Sequence, residues 1–168
     1  MPHVLIIGMT ESGKTTLATG LSEQYRQRGI KTIVLDPMFD QRWAADFFTT
    51  DKALFLSVVQ HPGTRSCAVF VDESAELIGQ YHDEMFWLAT RGRHYGHNCH
   101  FIAQRAKQLA KTVRDQCSYL FLFNCSFDDA KELSNEFNRP ELRHAHTLKR
   151  GDYFECPRWG SIQKKSIF

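Results

Sequence analysis

The residues with the most specific chemistry lie between positions 8 and 16. Residues 8–15 read GMTESGKT, which matches the phosphate-binding pattern GxxxxGK[ST] over its whole length. In such a loop the backbone N–H groups point at an anion, Lys14 contacts the β- and γ-phosphates, and the Thr15 hydroxyl binds Mg²⁺. The pattern predicts a nucleoside triphosphate site, with ATP and Mg²⁺ as cofactors. The predicted nucleotide-binding residues are Gly8, Met9, Thr10, Glu11, Ser12, Gly13, Lys14, Thr15 and Thr16.

The flanking residues predict the elements that such a loop requires. Residues 3–7 form a short apolar run, typical of a buried parallel strand, and residues 16–21 begin an amphipathic stretch typical of a helix. Strand, glycine-containing loop and helix therefore follow one another in the order that places phosphates at the start of the helix.

A second chemical motif ends another apolar run. Residues 68–71 predict a buried strand, and Asp72 and Glu73 follow it in the Walker B arrangement. We expect Asp72 to hold Mg²⁺, directly or through water, and Glu73 to act as the base that polarises a water in line with the γ-phosphate. The pair indicates an ATPase. The alternative is that the two carboxylates, with Ser74, only end a strand and cap a helix.

A polar amide closes a further predicted strand. Residues 99–104 form a strand candidate that ends in Gln104, and ligands of open α/β sheets bind at the ends of such strands. We expect Gln104 to sense the γ-phosphate or to hold the attacking water; the alternative is a surface amide.

Two arginines lie on a glycine-flanked segment between the Walker B motif and that strand. Arg91 and Arg93 belong to the sequence TRGRHYG, and arginine is well suited to stabilise charge on a transferring phosphoryl group. We expect one of them to act as an arginine finger across a subunit interface. The alternative is that both are solvated surface residues.

The remaining pattern predicts an α/β layered domain with a mostly parallel central sheet flanked by helices. The other predicted elements are strands at 31–35 and 118–123, helices around 52–59, 75–88 and 128–137, and a C-terminal β-hairpin whose arms, 145–148 and 153–156, flank the sequence KRGD.

Size and composition limit the classes of protein. The 168 residues suit one domain, with residues 1–168 predicted as a single ATPase domain. The net charge of +2 neither requires nor excludes a nucleic-acid partner. No apolar run approaches the length of a membrane span, which predicts a cytoplasmic protein without membrane insertion.

The cysteines and histidines give a weaker signal. Five cysteines occur without a CxxC pair, and we interpret them as reduced packing residues. The potential zinc ligands His94, His97, Cys99 and His100 match no usual zinc spacing, and Cys99 and His100 should point to opposite faces of a strand.

Taken together, these motifs resemble those of the FtsK–HerA superfamily of P-loop motor ATPases. The matching segments are GMTESGKT, VFVDE, the stretch TRGRHYGHNCHFIAQRAKQL and the closing TLKRGDYFE, so the resemblance extends from His3 to about Glu155. The chain looks most like the compact viral genome-packaging ATPases, and next most like the zonula-occludens-toxin-like ATPases of filamentous phages. The resemblance implies a RecA-like fold.

The resemblance also implies roles and partners. It assigns Lys14 and Thr15 to phosphate and Mg²⁺, Asp72 to Mg²⁺, Glu73 to base catalysis and Gln104 to γ-phosphate sensing, with Arg91 or Arg93 as the trans finger. Members work as rings, commonly hexamers, that thread double-stranded DNA. This implies a homo-oligomer, DNA as a partner, viral capsid or portal components as further partners, and a host-cytoplasmic or virion-associated location in a phage.

The resemblance also suggests where DNA would bind. The basic residues Arg105, Lys107, Lys111 and Arg114 become candidate DNA or interface contacts, although a solvated helix face is the alternative.

Two other functions remain open from the sequence. A small-molecule or nucleotide kinase also has this size and this phosphate loop, but usually closes an arginine-rich lid and lacks the Asp-Glu pair followed by a Gln-tipped strand. A phage assembly protein that hydrolyses ATP slowly is the second alternative, and Glu73 argues against it.

Overall fold

The computed structural model describes residues 2–72 and 82–168. The strands are β1 His3–Ile7, β2 Thr32–Leu35, β3 Phe47–Thr49, β4 Ala68–Asp72, β5 Asn98–Ala103, β6 Cys117–Phe123, β7 Asp152–Pro157 and β8 Gln163–Ser166. The α-helices are α1 Lys14–Gln27, α2 Lys52–Val59, α3 His82–Thr90, α4 Lys111–Asp115 and α5 Phe127–Phe137. Short 3₁₀ helices span Gly92–Tyr95, Ala106–Gln108 and Pro140–Thr147.

All eight strands lie in one sheet with the order β3-β2-β4-β5-β1-β6-β7-β8. Strands β1 to β6 are parallel, and β7 and β8 are antiparallel additions beyond β6. Because parallel strands point the same way, Ile7, Asp72 and Ala103 end at one edge of the sheet, which we call the carboxyl edge. The strands begin at the opposite edge, which we call the amino edge.

The core lies on both faces of the sheet. Alternate residues of β1 separate cleanly: Val4 and Ile6 pack on the side that carries α1, whereas Leu5 and Ile7 pack on the other side. Since both faces are covered, β1, β2 and β5 are buried along their whole length, and this explains the mostly hydrophobic runs of the sequence. Helices α2, α3 and α5 cover the second face through Phe55, Leu88, Leu133 and other buried residues.

The predicted fold class is confirmed: a mostly parallel sheet between helices, with a C-terminal hairpin. The five predicted parallel strands and the helices at 52–59 and 128–137 agree with the observed elements within one residue at each end. Strand β3 was not predicted, since it has only three residues, too few to form a recognisable pattern. The first part of the helix predicted at 75–88 lies outside the described residues.

The hairpin uses different arms from those expected. Residues 145–147 end a 3₁₀ helix that begins at Pro140, and β7 pairs instead with β8. Proline fits the first position of a helix because its missing N–H group has no partner to lose there. The sequence KRGD thus joins a helix to a strand, with Gly151 at a φ of +88°.

The five cysteines are free and buried, in agreement with their interpretation as packing residues. Within the described part of the chain, no helix combines the length and apolar character that a membrane span needs.

Candidate active site

The phosphate loop is fixed to both strands that neighbour β1. The Gly8 N–H donates to the Ala103 carbonyl at 3.3 Å, and the Met9 N–H donates to the Asn124 carbonyl at 2.8 Å. Ala103 ends β5, and Asn124 directly follows β6. The loop therefore lies at the carboxyl edge, between the ends of β5 and β6.

The backbone of the loop needs glycine at two positions. A Cβ atom on Gly8 would lie 2.6 Å from Phe123 Cβ and 2.7 Å from Ser12 Oγ, which is too close for any other residue. Gly13, at a φ of +117°, precedes the first residue of α1. Glu11 also has a left-handed conformation, with a φ of +63°. Backbone strain of this kind concentrates at functional sites.

Lys14 lies across the loop that contains it. Its Nζ atom donates to the Met9 carbonyl at 2.7 Å, a position within reach of an anion held by the loop. Burial lowers the pKa of Lys14 to about 8, an effect that the nearby Asp72 carboxylate opposes. A phosphate group would favour the charged ammonium form, as Asp72 does.

Asp72 ends β4 at the same edge. Burial raises its pKa to about 7, helped by repulsion from Asp36 and opposed by Lys14. A partly buried carboxylate of this kind gains from a bound cation, and the Thr15 hydroxyl supplies a second oxygen ligand of the type that Mg²⁺ prefers. The residues present therefore fit a Mg²⁺ ion. Glu73, the predicted base, lies outside the described residues.

Gln104 lies between these two parts of the site. Strand β5 separates β1 from β4; Ala103 pairs with Ile7, and Ile102 pairs with Asp72. Gln104, the next residue, is therefore level with the first residue of the phosphate loop. Its backbone N–H donates to Gln108 Oε1 at 2.9 Å, and its side chain is partly buried. The strand order thus brings the predicted nucleotide, Mg²⁺ and sensor residues to one edge.

A cavity of about 330 Å³ opens over the phosphate loop. It is lined by Thr10, Glu11, Gly13, Lys14, Thr15, Thr16, Arg42, Arg150, Ile167 and Phe168. The last four were not predicted as site residues, because they come from three segments distant in sequence from the loop. Charge was the only signal for Arg42, and Arg150 belongs to the predicted KRGD turn.

The segment after the 3₁₀ helix closes one side of this cavity. The Gly151 N–H donates to the Ser12 carbonyl at 3.0 Å, and Arg150 Nε donates to the Glu11 carbonyl at 3.1 Å. The Ile167 N–H in turn donates to the Gly151 carbonyl at 3.0 Å. The phosphate loop is therefore held from outside as well as by its own two strands.

Arg91 and Arg93 lie at the amino edge, away from the cavity. Arg93 Nη2 donates at 2.8 Å to the carbonyl of Gln116, the residue before β6. The Tyr95 carbonyl accepts from Ser66 N–H, shortly before β4 begins, so the whole segment packs beneath the starts of the strands. Neither arginine lines the nucleotide cavity of its own chain. A finger role requires a neighbouring subunit and stays a prediction.

The candidate zinc ligands are used for internal hydrogen bonds. His97 accepts from the Cys67 N–H at 3.3 Å, and its other ring nitrogen lies 3.1 Å from the Val59 carbonyl. His100 contacts Tyr25 and the Val69 carbonyl, on the sheet face opposite to that of Cys99. Within residues 2–72 and 82–168, no three His, Cys, Asp or Glu side chains are grouped to hold a metal ion.

Of the four basic candidates before β6, Arg114 differs from the others because its side chain is buried. Arg114 is buried, and its Nη1 atom lies 3.0 Å from Glu132 and 2.8 Å from Glu136. Arg105 pairs with Asp129 at 3.2 Å. The proposed DNA contact at Arg114 is therefore wrong for the described surface, while Lys107 is exposed.

A phosphate-loop strand separated by one parallel strand from a strand that ends in aspartate defines the RecA-like class of P-loop ATPase folds. The chain is similar to the genome packaging NTPase B204 from Sulfolobus turreted icosahedral virus 2 in complex with ATP-gammaS. The TM-score is 0.80 at 15% identity, over 99% of this chain and 98% of that chain.

Two further solved structures are similar in fold. VirB4 of Thermoanaerobacter pseudethanolicus gives a TM-score of 0.73 at 10% identity, over 99% of this chain and 89% of that chain. The pCW3 conjugation coupling protein TcpA, in monomer form with ATPgS, gives a TM-score of 0.70 at 18% identity, over 99% of this chain and 60% of that chain. No protein-family model and no curated protein matches the sequence. The structural neighbours confirm the predicted resemblance to viral packaging and FtsK–HerA-type ATPases at the level of the fold.

Proposed function

We propose that the chain is an ATP-hydrolysing motor of the FtsK–HerA type that translocates DNA and packages a viral genome. The observation that carries this proposal is the arrangement at the carboxyl edge, where Lys14, Asp72 and Gln104 follow three adjacent strands. The likeness to a genome packaging NTPase over nearly the full length of both chains supports the finer part of the proposal.

In this proposal the loop N–H groups and Lys14 bind the phosphates of ATP, and Gln104 detects the terminal phosphate. Thr15 and Asp72 would hold Mg²⁺, which neutralises charge on the phosphate oxygens. Glu73 takes the proton of the attacking water. Each of these residues except Glu73 lies on described backbone at the carboxyl edge.

We further propose that residues 1–168 act as one ATPase domain that assembles into a homo-oligomeric ring, commonly a hexamer in the resembling family. Double-stranded DNA is the proposed cargo, and capsid or portal components are the proposed docking partners. Arg91 or Arg93 of one subunit would complete the site of its neighbour.

The test is steady-state ATP hydrolysis against protein concentration, with and without linear double-stranded DNA. We expect turnover to rise with both, because a shared site is complete only in the assembled ring. Glu73→Gln should retain ATP binding and lose about 10²- to 10⁴-fold in turnover, the usual contribution of a general base. Glu23→Gln, on the exposed surface of α1, is the matched control.

Two results would replace this proposal. Hydrolysis that ignores concentration and DNA, with phosphoryl transfer to small acceptors, would identify a kinase. Turnover that stays negligible with DNA at ring-forming concentrations would identify a slow assembly protein.

A further inference from the structure

Arg42 brings a positive charge into the nucleotide cavity from outside the phosphate loop. Its Nη1 atom donates to Thr16 Oγ1 at 3.2 Å, and Thr16 lies in the first turn of α1. The side chain lines the cavity together with Lys14 and Thr15, and it is 57% exposed. Arg42 therefore lines the same cavity in which the loop is expected to hold phosphates, and more than half of its side chain is exposed.

A single carboxylate holds this guanidinium in place. Arg42 Nε lies 3.0 Å and 3.2 Å from the two oxygens of Asp40, and Nη2 lies 2.7 Å from one of them. The Arg42 N–H also donates to Asp40 Oδ1 at 2.9 Å. Asp40 thus positions both the backbone and the side chain of Arg42, and this pairing lowers the pKa of Asp40.

The loop that carries the pair is itself organised around a buried carboxylate. Asp36, which directly follows β2, accepts hydrogen bonds from the backbone N–H groups of Met38 and Asp40, each at 2.9 Å. It also accepts from Trp43 Nε1 at 3.1 Å. These bonds fix residues 36–43 as a unit, so the location of Arg42 follows from the loop and does not depend on a flexible side chain alone.

A phosphate is a stronger partner for this guanidinium than the carboxylate it now contacts. It carries more charge and presents oxygens at a spacing that matches two N–H donors of arginine. Nη1 contacts the neutral hydroxyl of Thr16, so one donor of the guanidinium has no anionic partner among the described residues. A phosphate that draws the guanidinium away from Asp40 would replace one anionic partner with a more highly charged one.

We propose that Arg42 binds a phosphate oxygen of the nucleotide within its own subunit, and that Asp40 competes with the nucleotide for this guanidinium. The proposal rests on the proposed function, because it assumes that the cavity binds ATP. It assigns a role that differs from that of Arg91 and Arg93, which reach only the site of a neighbouring subunit.

The experiment compares equilibrium binding of ATP, ADP and AMP to four proteins: wild type, Arg42→Gln, Asp40→Asn and the double variant. We expect Arg42→Gln to weaken ATP binding about 10- to 100-fold, the usual effect of one charge-assisted hydrogen bond. Asp40→Asn should tighten ATP binding relative to the wild type. The same substitution should have a smaller effect when Arg42 is already replaced, which is measured by comparing the double variant with Arg42→Gln. The shortest of the three nucleotides whose binding is weakened by Arg42→Gln identifies the phosphate that Arg42 contacts.

The matched control is Arg26→Gln, since Arg26 is an exposed arginine of α1 paired with Glu23. It should bind ATP like the wild type. Arg42→Lys keeps the charge without the two-pronged donor and should fall between wild type and Arg42→Gln. Thermal unfolding without nucleotide shows whether each variant is folded.

Two results would overturn the inference: unchanged ATP binding in Arg42→Gln, or equal weakening by Arg42→Gln and Asp40→Asn. The second would mean that the pair only supports the loop. Failure of the proposed function is distinct, since wild type would then bind no ATP, or Lys14→Ala would bind it as well as wild type.

Discussion

The two edges of the sheet both contain polar side chains but use them differently. At the carboxyl edge, Lys14 and Asp72 have shifted pKa values, and the backbone at Glu11 and Gly13 adopts left-handed conformations around a cavity. At the amino edge, His97 and His100 each use both ring nitrogens in contacts with the protein itself. The first edge thus leaves polar groups facing a cavity, whereas the buried imidazoles of the second are used within the protein.

Residue type alone therefore does not identify a site in this protein. The amino edge has the more suggestive sequence, with three histidines, a cysteine and two arginines between positions 91 and 100. The buried imidazoles of His97 and His100 are nevertheless satisfied structural groups, because buried polar atoms are stable only with hydrogen-bond partners. The two edges differ in whether their polar side chains face a cavity, and this depends on the topology of the sheet.

The largest expected effect is on turnover, and it depends on a contact between the amino edge of one subunit and the carboxyl edge of its neighbour. If Arg91 or Arg93 completes a neighbour's site, the corresponding alanine variant should lose about 10³-fold or more in turnover, as expected for an arginine finger. Binding of ATP to the isolated subunit should not change, because neither side chain lines its cavity. Turnover and binding are measured on the same preparations.

Mixing variants provides the control for this prediction. Lys14→Ala subunits lack a working site but retain both arginines, so adding them to the inactive arginine variant should restore part of the turnover. Two results together would contradict action across an interface: turnover does not recover in any mixture, and the arginine variants by themselves fail to bind ATP.

A second prediction concerns the stability of the amino-edge side. Arg114→Ala leaves Glu136 buried without its cation, and we expect the free energy of unfolding to fall by about 3 kcal/mol. Lys111→Ala, which removes an exposed pair with Asp115, should cost less than about 0.5 kcal/mol. Denaturant titration compares the two. Similar losses in both variants would show that burial of the Arg114 pair is unimportant.

A third prediction uses the pH dependence of two amino-edge histidines. Burial lowers the pKa of His3 and of His100 to about 4, from about 6.5 in the unfolded chain, so the unfolded state binds more protons between these values. The contribution of these two histidines to the free energy of unfolding is therefore fully present above pH 6.5 and falls as the pH drops toward 4. We expect a loss of about 2 kcal/mol per histidine between pH 7.5 and 5.

His100→Gln identifies the contribution of one ring. The variant is less stable at neutral pH, since contacts to Tyr25 and Val69 are disturbed, but its stability should change less with pH than that of the wild type. The same pH slope in both proteins would contradict the assignment. Denaturant titrations at pH 7.5 and 5 give the comparison.

The smallest expected effect is that of added zinc. Because the imidazoles of His97 and His100 already have protein partners and burial raises the pKa of the Cys99 thiol, Zn²⁺ should leave the Tm of the protein unchanged. A stoichiometric rise in Tm with Zn²⁺, reversed by a chelator, would show that the amino edge contains a metal site.

The parts of the site that the sequence predicts are those that are local in the chain. The phosphate loop and Asp72 each adjoin an apolar strand, so a short pattern gives both the residue and its location. Arg42, Arg150 and Phe168 reach the same cavity only through tertiary packing. No spacing within the sequence marks them, because their distance from the loop is set by how the sheet is ordered.

The same distinction explains the errors in the fold. Strand β3 exists because it pairs with β2, and its three residues have no periodicity of their own. The expected first arm of the hairpin has a suitable apolar pattern, but Pro140 begins a 3₁₀ helix that continues through it. Arg114 looked like a surface cation until α5 supplied two carboxylates.

The contacts of Gly151 and Arg150 with the phosphate loop bear on how the protein is synthesised. Residues 8–15 leave the ribosome early, yet the carbonyls of Glu11 and Ser12 find their partners about 140 positions later. A nascent chain that has reached α5 contains every parallel strand but lacks one wall of the cavity. The cavity described for the folded protein is therefore complete only after residues 150–168 have emerged and docked.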